Sequence, residues 1–209
     1  MKRLFLTAMV VLTFVAAVSA ANSKQEKEAK KYARKQAKEL LSQGWKVDGV
    51  HTLEEVLYQF RLELLNDSDN WQMSGNVIGE TSCKTVNQAK QWASVNAANT
   101  YSKESGMMLR SRIVGEIGAS IEGASLDNFY EAYEALVQKE IKGELKMKFG
   151  IYREKKDGSV EYQAFYIINE SRAASLRQRA LMSAINESKI LKDHAKELSE
   201  FVNEPVNVK

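Results

Sequence analysis

Residues 144–168 read ELKMKFGIYREKKDGSVEYQAFYII and contain the clearest strand signal in the chain. Apolar and charged residues alternate over the first half, and a second run rich in aromatic and aliphatic residues follows, which is typical of two half-buried strands. Asp157-Gly158 lies between the two runs and supplies the chemistry of a tight turn. The segment therefore predicts an antiparallel hairpin.

The alternation in the first strand of this hairpin also predicts which side chains are buried. Successive side chains of a strand point to opposite faces of the sheet. Leu145 and Phe149 are therefore expected to face the helices of the fold. By the same rule, Lys146 and Lys148 are expected to face solvent.

Helical periodicity surrounds this hairpin on both sides in the sequence. Thr52 and Glu55 form a capping box at the start of one helix. A longer helix carries small residues at Ala89, Ala93 and Ala97, which allow close approach of a neighbouring element. The predicted fold class is α+β, a small antiparallel sheet (one strand plus the hairpin) covered by long helices with a basic helix at the N-terminus. The first expected strand covers 71–78. The expected helices cover 23–43, 53–65, 84–118, 126–139 and 170–202.

The N-terminus has the three-part pattern of a secretory signal peptide. Two basic residues precede an apolar run from Leu4 to Val18, and small residues follow it. The run is shorter than the roughly 20 residues that a helix needs to cross a bilayer, although an uncleaved anchor helix is the competing interpretation. We expect cleavage between Ala20 and Ala21, with the next bond as the alternative, and no transmembrane span in the mature chain.

The expected organisation is a signal peptide over 1–20, a charged helical extension over 21–44 and a single α+β domain over 45–209. The only cysteine, Cys83, excludes an internal disulfide, so the core must hold the fold together. We interpret Cys83 as a small, half-buried structural residue, and an intermolecular disulfide or redox-active thiol is the alternative.

The positive charge of the mature chain is concentrated in the N-terminal helix. Without Lys2 and Arg3 the chain carries 28 basic and 27 acidic residues, which does not favour nucleic-acid binding. Because the apolar stripe of this helix is mostly alanine, we expect it to be weakly buried, and residues 22–43 to be dispensable for folding and to contribute to partner binding. The competing view is that this segment, which carries a net charge of +4, docks onto the rest of its own chain, which carries −3. The basic residues are Lys24, Lys27, Lys30, Lys31, Arg34, Lys35 and Lys38.

The order of elements resembles the LPP20-type lipoprotein domain, in which a glycine-bearing strand (here with Gly75 and Gly79) precedes an alanine-spaced helix, a further helix, a hairpin and a C-terminal helix. The segments 29–40 and 44–47 also resemble exported proteins of Bacteroides and its relatives. The resemblance implies a bacterial cell-envelope protein without assigned catalytic residues. Because the lipid-bearing cysteine after the cleavage site is missing, membrane anchoring is not implied.

Motifs for catalysis, cofactors and metals are missing from the sequence. His51 lies before Glu54 and Glu55, and His194 lies before Glu197, but each pair is short of the three or four ligands of a metal site. The sequence contains no P-loop, no His-Glu-x-x-His and no Gly-x-Ser-x-Gly motif. We therefore assign no catalytic, cofactor-binding or metal-binding residue.

Two function classes remain from the sequence. The favoured one is a non-catalytic protein-interaction or structural module, located in the periplasm or envelope of a Gram-negative bacterium, whose partner is another envelope protein. The alternative is a periplasmic hydrolase whose carboxylates meet only in the folded chain. A deep pocket with converging carboxylates or histidines would favour the enzyme, and a shallow apolar groove would favour the binding module.

Overall fold

A computed structural model describes residues 23–114, 123–187 and 199–203 of the chain. The expected cleavage site at Ala20 and Ala21 lies outside the described residues, as does His194. The elements follow in the order α1 (23–42), β1 (Lys46–Val47), α2 (Leu53–Asn66), β2 (Asn70–Val77), α3 (Val86–Arg112), α4 (Gly123–Ile141), β3 (Met147–Glu154), β4 (Val160–Asn169) and α5 (Glu170–Glu187).

The strands form one antiparallel sheet in the order β1-β3-β4-β2. Strands β3 and β4 are the predicted hairpin, and Gly158 in its turn has a φ of 78°, which glycine adopts at no steric cost. The predicted α+β class with a small sheet packed against helices is confirmed. Strand β1, which pairs Val47 with Ile151, extends the sheet beyond the one strand and hairpin expected from the sequence.

Helices cover both faces of the sheet. On the central strand β4, alternate residues point to opposite faces, so each face has its own apolar cluster. Tyr162, Ala164 and Tyr166 pack with residues of α3, α4 and α5. Phe165 and Ile167 pack on the opposite face with residues of α1 and α2. The sheet is therefore the middle layer of three.

Leu145 and Phe149 both pack against helices, as expected, but they do so on opposite faces of the sheet, which simple alternation does not predict. The pairing of β3 with β4 shifts between Met147 and Phe149, which is the signature of a β-bulge. Leu145 and Met147 pack against the cluster of α3, α4 and α5, whereas Phe149 is buried in the cluster of α1 and α2. A bulge inserts one residue and so reverses the faces on either side of it. Lys148, at the bulge, is exposed as predicted.

The alanine row of α3 lies directly on strand β2, as the small residues predicted. Ala89, Ala93 and Ala97 are completely buried. At Gly75 of β2, an added Cβ would overlap the backbone carbonyl of Ala93 and lie 2.9 Å from the Cβ of Ala97. Only glycine permits this separation of helix and strand, which explains the pairing of a strand glycine with a helix of small residues.

Cys83 is buried just before α3. Its backbone pairs with Val160 at the start of β4, with the Cys83 N–H donating to the Val160 carbonyl at 2.9 Å. The structural interpretation of this cysteine agrees with its burial. Among the described residues, no helix is both long enough and apolar enough to cross a bilayer.

The basic helix α1 is docked on the domain through a narrow stripe, and most of its other residues are exposed, as its thin apolar stripe predicted. The side chains of Ala29, Ala33 and Ala37 are 0%, 0% and 5% exposed, respectively. Two of them, Ala33 and Ala37, belong to the same apolar cluster as Phe60 and Phe149. Small side chains bury little area each, but they let the α1 backbone approach α2 closely.

Polar contacts along α1 and α2 reinforce this packing. Arg61 pairs with Glu28 at 2.6 Å and stacks over the ring of Tyr32. The Gln25 amide donates to the carbonyl of Leu65 at 2.9 Å. Part of the charge on α1 therefore takes part in ion pairs with α2.

Replacing Ala33 with leucine is expected to lower the free energy of unfolding by about 1–3 kcal/mol, because the larger side chain has no space between α1 and its neighbours. Lys35→Leu is the matched control, since Lys35 is exposed on the same helix. It should change stability by less than about 0.5 kcal/mol. Urea unfolding of both variants measures the difference, and equal small effects would show that α1 is only loosely docked.

Candidate functional site

An open groove of about 230 Å³ lies between helix α2 and strand β3. Helix α2 provides one wall, and the bulged start of β3 provides the other. His51, which precedes α2 and was noted in the sequence, lies at the rim. The lining residues are His51, Glu55, Val56, Gln59, Phe60, Glu63, Lys148 and Phe149.

The floor of the groove is aromatic. Phe149 stacks on Phe165 with ring centroids 4.5 Å apart and an interplanar angle of 7°. Phe60 from α2 meets Phe149 edge to face at 5.3 Å and 81°. Such pairs fix ring orientation and add to the stabilisation from burial. The floor of the groove is therefore a closely packed apolar surface.

The charged groups at the rim are already engaged in local structure. The Glu55 carboxylate accepts the backbone N–H of Thr52 at 2.8 Å in the predicted capping box. The backbone and side-chain hydrogen bonds with Thr52 lower the pKa of Glu55, which keeps it ionised. Glu63 pairs with Lys148 across the groove. The rim thus presents charges of both signs that are held in place.

His51 does not take part in a metal site in the part of the chain that the structure describes. Its Nδ1 lies 3.9 Å from Glu55 Oε2, and no group of three His, Cys, Asp or Glu side chains there is arranged to hold a metal ion. Both partners of this pair are well exposed. The arrangement matches an exposed pair of side chains at the start of α2 better than a coordination site.

The two carboxylates of the groove are also badly placed for paired-carboxylate hydrolysis. Glu55 and Glu63 are eight residues apart on α2, which separates them by about 12 Å along the helix axis. Glycosidases place their two carboxyl groups roughly 5–9.5 Å apart. A low pKa at Glu55 is also the opposite of what a general acid needs. The spacing of Glu55 and Glu63 therefore does not fit this chemistry.

A second polar cluster was not predicted from the sequence. The Tyr162 hydroxyl donates to Asp48 Oδ2 at 2.7 Å, and Lys90 pairs with the same carboxylate at 2.9 Å. These three residues come from β4, the loop after β1 and α3, up to 114 positions apart in the chain. No local pattern links them, because the contact arises only when the sheet and α3 assemble.

The pKa shifts in this cluster describe a closed structural network. Burial raises the pKa of Tyr162, and the hydrogen bond to Asp48 raises it further, so the hydroxyl stays protonated. Burial alone would raise the pKa of Asp48, but hydrogen bonds from Lys90 and Tyr162 outweigh it and lower the pKa. The cluster therefore holds an ionised carboxylate between two donors and offers no activated nucleophile.

Glu134 on α4 is a carboxyl group whose pKa is raised, chiefly by burial. Its side chain packs against Gly106 of α3, and the charges of Arg110 and Lys103 oppose the shift. A raised pKa is a property of general acids. Glu134 does not line the groove, however, and its burial follows from the packing of α3 against α4.

Comparisons with models of protein families, with curated proteins and with solved structures find no match to this chain. The likeness to the LPP20-type domain and to exported Bacteroides proteins thus stays a prediction from the sequence. The groove of α2 and β3 is accordingly interpreted from its geometry alone.

Proposed function

We propose that this protein is an exported, non-catalytic interaction module of the bacterial cell envelope, which binds a segment of another envelope protein in the groove between α2 and β3. The proposal of export rests on the N-terminal sequence pattern, and that of an envelope location on the family resemblance. The binding role is carried by one observation, the open groove with an aromatic floor and a charged rim.

The composition of the groove favours a protein segment as ligand. Protein-binding sites concentrate their affinity in a buried apolar centre and surround it with polar groups that exclude water. Phe60, Phe149 and Val56 supply the apolar part, and the rim supplies hydrogen-bonding groups. An anchor side chain of a partner could bury itself against these rings, while the rim would restrict the sequences around it.

Charge placed in the groove tests this proposal. Val56→Glu adds a carboxylate to the apolar wall, and Val50→Glu is the matched control because Val50 is 96% exposed outside the groove. Both variants should fold. In capture from intact envelopes, the partners retained by the wild type and by Val50→Glu should be reduced at least about tenfold with Val56→Glu.

Equal capture by both variants would show that the groove is not the binding site. Turnover of envelope polymers by the wild-type protein, lost on replacing a described carboxylate, would favour the hydrolase alternative instead. The two outcomes are separable, since the first measures retention of a partner and the second measures release of a product.

A further inference from the structure

Strand β2 is an open edge of the sheet. It is the last strand in the order β1-β3-β4-β2, and no strand lies beyond it in the part of the chain that the structure describes. Its pairing with β4 is regular over all eight residues, from Asn70 with Asn169 to Val77 with Tyr162. One row of its backbone groups is therefore used, and the other row points away from the sheet.

The hydrogen bonds identify the residues of that outer row. The Asn70 N–H donates to the carbonyl of Asp67 at 3.1 Å, and the Asn76 carbonyl accepts the side-chain amide of Asn96 at 2.9 Å, both away from β4. Backbone groups of alternate residues in an antiparallel strand point to the same side. Gln72 and Ser74 therefore direct their N–H and C=O groups outward, between the two satisfied ends.

This edge lacks the features that protect sheet edges against pairing with another chain. Natural edges use lysines, prolines, bulges or very short strands for this purpose. Residues 70–79 read NWQMSGNVIG and contain no charged residue and no proline, in a chain of which 27% is charged. The opposite edge of the same sheet is protected, because β1 has only two residues and one of them is Lys46.

We infer that β2 pairs antiparallel with β2 of a second copy of this chain, forming a two-fold symmetric dimer with a continuous sheet. A strand without charge can face itself in any register without like-charge repulsion. The two outward residues of each copy together supply two N–H donors and two C=O acceptors. A two-fold axis therefore provides an acceptor in the second copy for every donor in the first. A partner with a charged strand would gain no ion pair at this edge.

One register pairs the outward backbone groups of both copies. With the two-fold axis beside Met73, Gln72 lies opposite Ser74 of the second copy, and these pairs exchange four hydrogen bonds. The same register places Trp71 opposite Gly75 of the second copy.

Apolar surface beside the edge adds to the area available for pairing. Asn96 of α3 reaches the outer carbonyl of Asn76, so the exposed face of α3 one turn earlier flanks the edge. Trp92 lies on that face and is 53% exposed. Strand pairing alone buries less than a stable dimer needs, and this exposed indole supplies further apolar area next to it.

The test uses the mature protein, purified after export, in sedimentation velocity and light scattering over a range of concentrations. The wild type should be a dimer. Gln72→Lys should leave the melting temperature nearly unchanged, because Gln72 is exposed, and should raise the dimer Kd roughly tenfold or more by placing two lysines within a Debye length of each other.

Two further samples separate charge at the edge from other effects. Gln91→Lys is the matched control, since Gln91 is exposed on α3 and lines a cavity with Met147 and Tyr166 rather than the edge of β2. This substitution should leave the dimer unchanged. An equimolar mixture of Gln72→Lys and Gln72→Glu should form the dimer again, because opposite charges are then diagonal neighbours across the two strands.

Hydrogen exchange distinguishes pairing of the edge with a second copy from coverage of the edge by residues of the same chain. The amides of Gln72 and Ser74 should be protected in the dimer and should exchange rapidly in Gln72→Lys. A monomer at roughly 1 mM overturns the proposal, and protected amides in that monomer would mean that residues of the same chain cover the edge. A dimer that Gln72→Lys does not weaken overturns it too, because another surface would then hold the copies together.

Discussion

Phe149→Ala is expected to lower the free energy of unfolding by about 3–5 kcal/mol. The side chain is 5% exposed and contacts the rings of Phe60 and Phe165. Truncation would leave a cavity at the centre of the α1 and α2 cluster and would remove both ring pairs. For a chain of this size, the loss corresponds to a fall in melting temperature of roughly 6–20 °C.

Lys148→Ala is the matched control for this substitution, since it removes a neighbouring side chain of the same strand. Lys148 is exposed, and its pair with Glu63 lies at the surface, so the cost should be about 0–1 kcal/mol. Calorimetry of both variants gives the comparison. Similar small shifts in both would mean that Phe149 does not face the cluster and that the strand register is wrong.

The position of Phe149 also shows where strand periodicity stops being informative. The hairpin, its turn and the burial of Phe149 follow from local patterns, because alternation and an Asp-Gly turn are properties of neighbouring residues. The bulge at Lys148 reverses the face of Leu145, and no residue type marks it in the sequence. Local pattern therefore predicts the strand but not a shift in its pairing.

Helix α1 illustrates a second limit, which concerns small residues. The alanine stripe was visible in the sequence. An alanine side chain can bury only a small apolar area, however, and such a stripe is equally compatible with loose docking and with close packing. Ala33 is completely buried in the cluster that α1 forms with α2 and the sheet. Such complementarity depends on the partner surface, which a helix does not encode by itself.

The candidate groove was predicted only in part. His51 and the capping box of Glu55 could be found from the sequence, because both are local to the start of α2. The aromatic floor could not, since Phe60 and Phe149 meet only after the sheet forms. The network of Asp48, Tyr162 and Lys90 was missed for the same reason.

Arg177 is the most deeply buried charge described in the structure, and it joins four parts of the fold. Its guanidinium donates to the Tyr101 hydroxyl and to Glu170, each at 2.6 Å, and to the Val202 carbonyl at 2.8 Å. Trp71 at the start of β2 donates to the other oxygen of Glu170 at 2.9 Å. The network thus connects α3, α5, β2 and the segment 199–203.

The charge of Arg177 is stabilised by its partners. Burial alone would lower its pKa, but the interactions with Tyr101 and Glu170 outweigh burial and raise the pKa instead. Replacing one partner of such a pair leaves the other buried without compensation, which is more damaging than replacing both. The sequence does not reveal this role, because an arginine in a helix usually faces solvent.

Arg177→Ala is therefore expected to lower the free energy of unfolding by about 3–5 kcal/mol, because Glu170, Tyr101 and the Val202 carbonyl lose their donor together. Arg172→Ala on the same helix is the control: Arg172 is exposed, its nearest contact with Glu144 is 3.8 Å, and the cost should be at most about 1 kcal/mol. Adding Glu170→Gln to Arg177→Ala removes the uncompensated carboxylate and should recover part of the loss in urea unfolding. Strict additivity of the two single substitutions would contradict a coupled ion pair at the junction of α3 and α5.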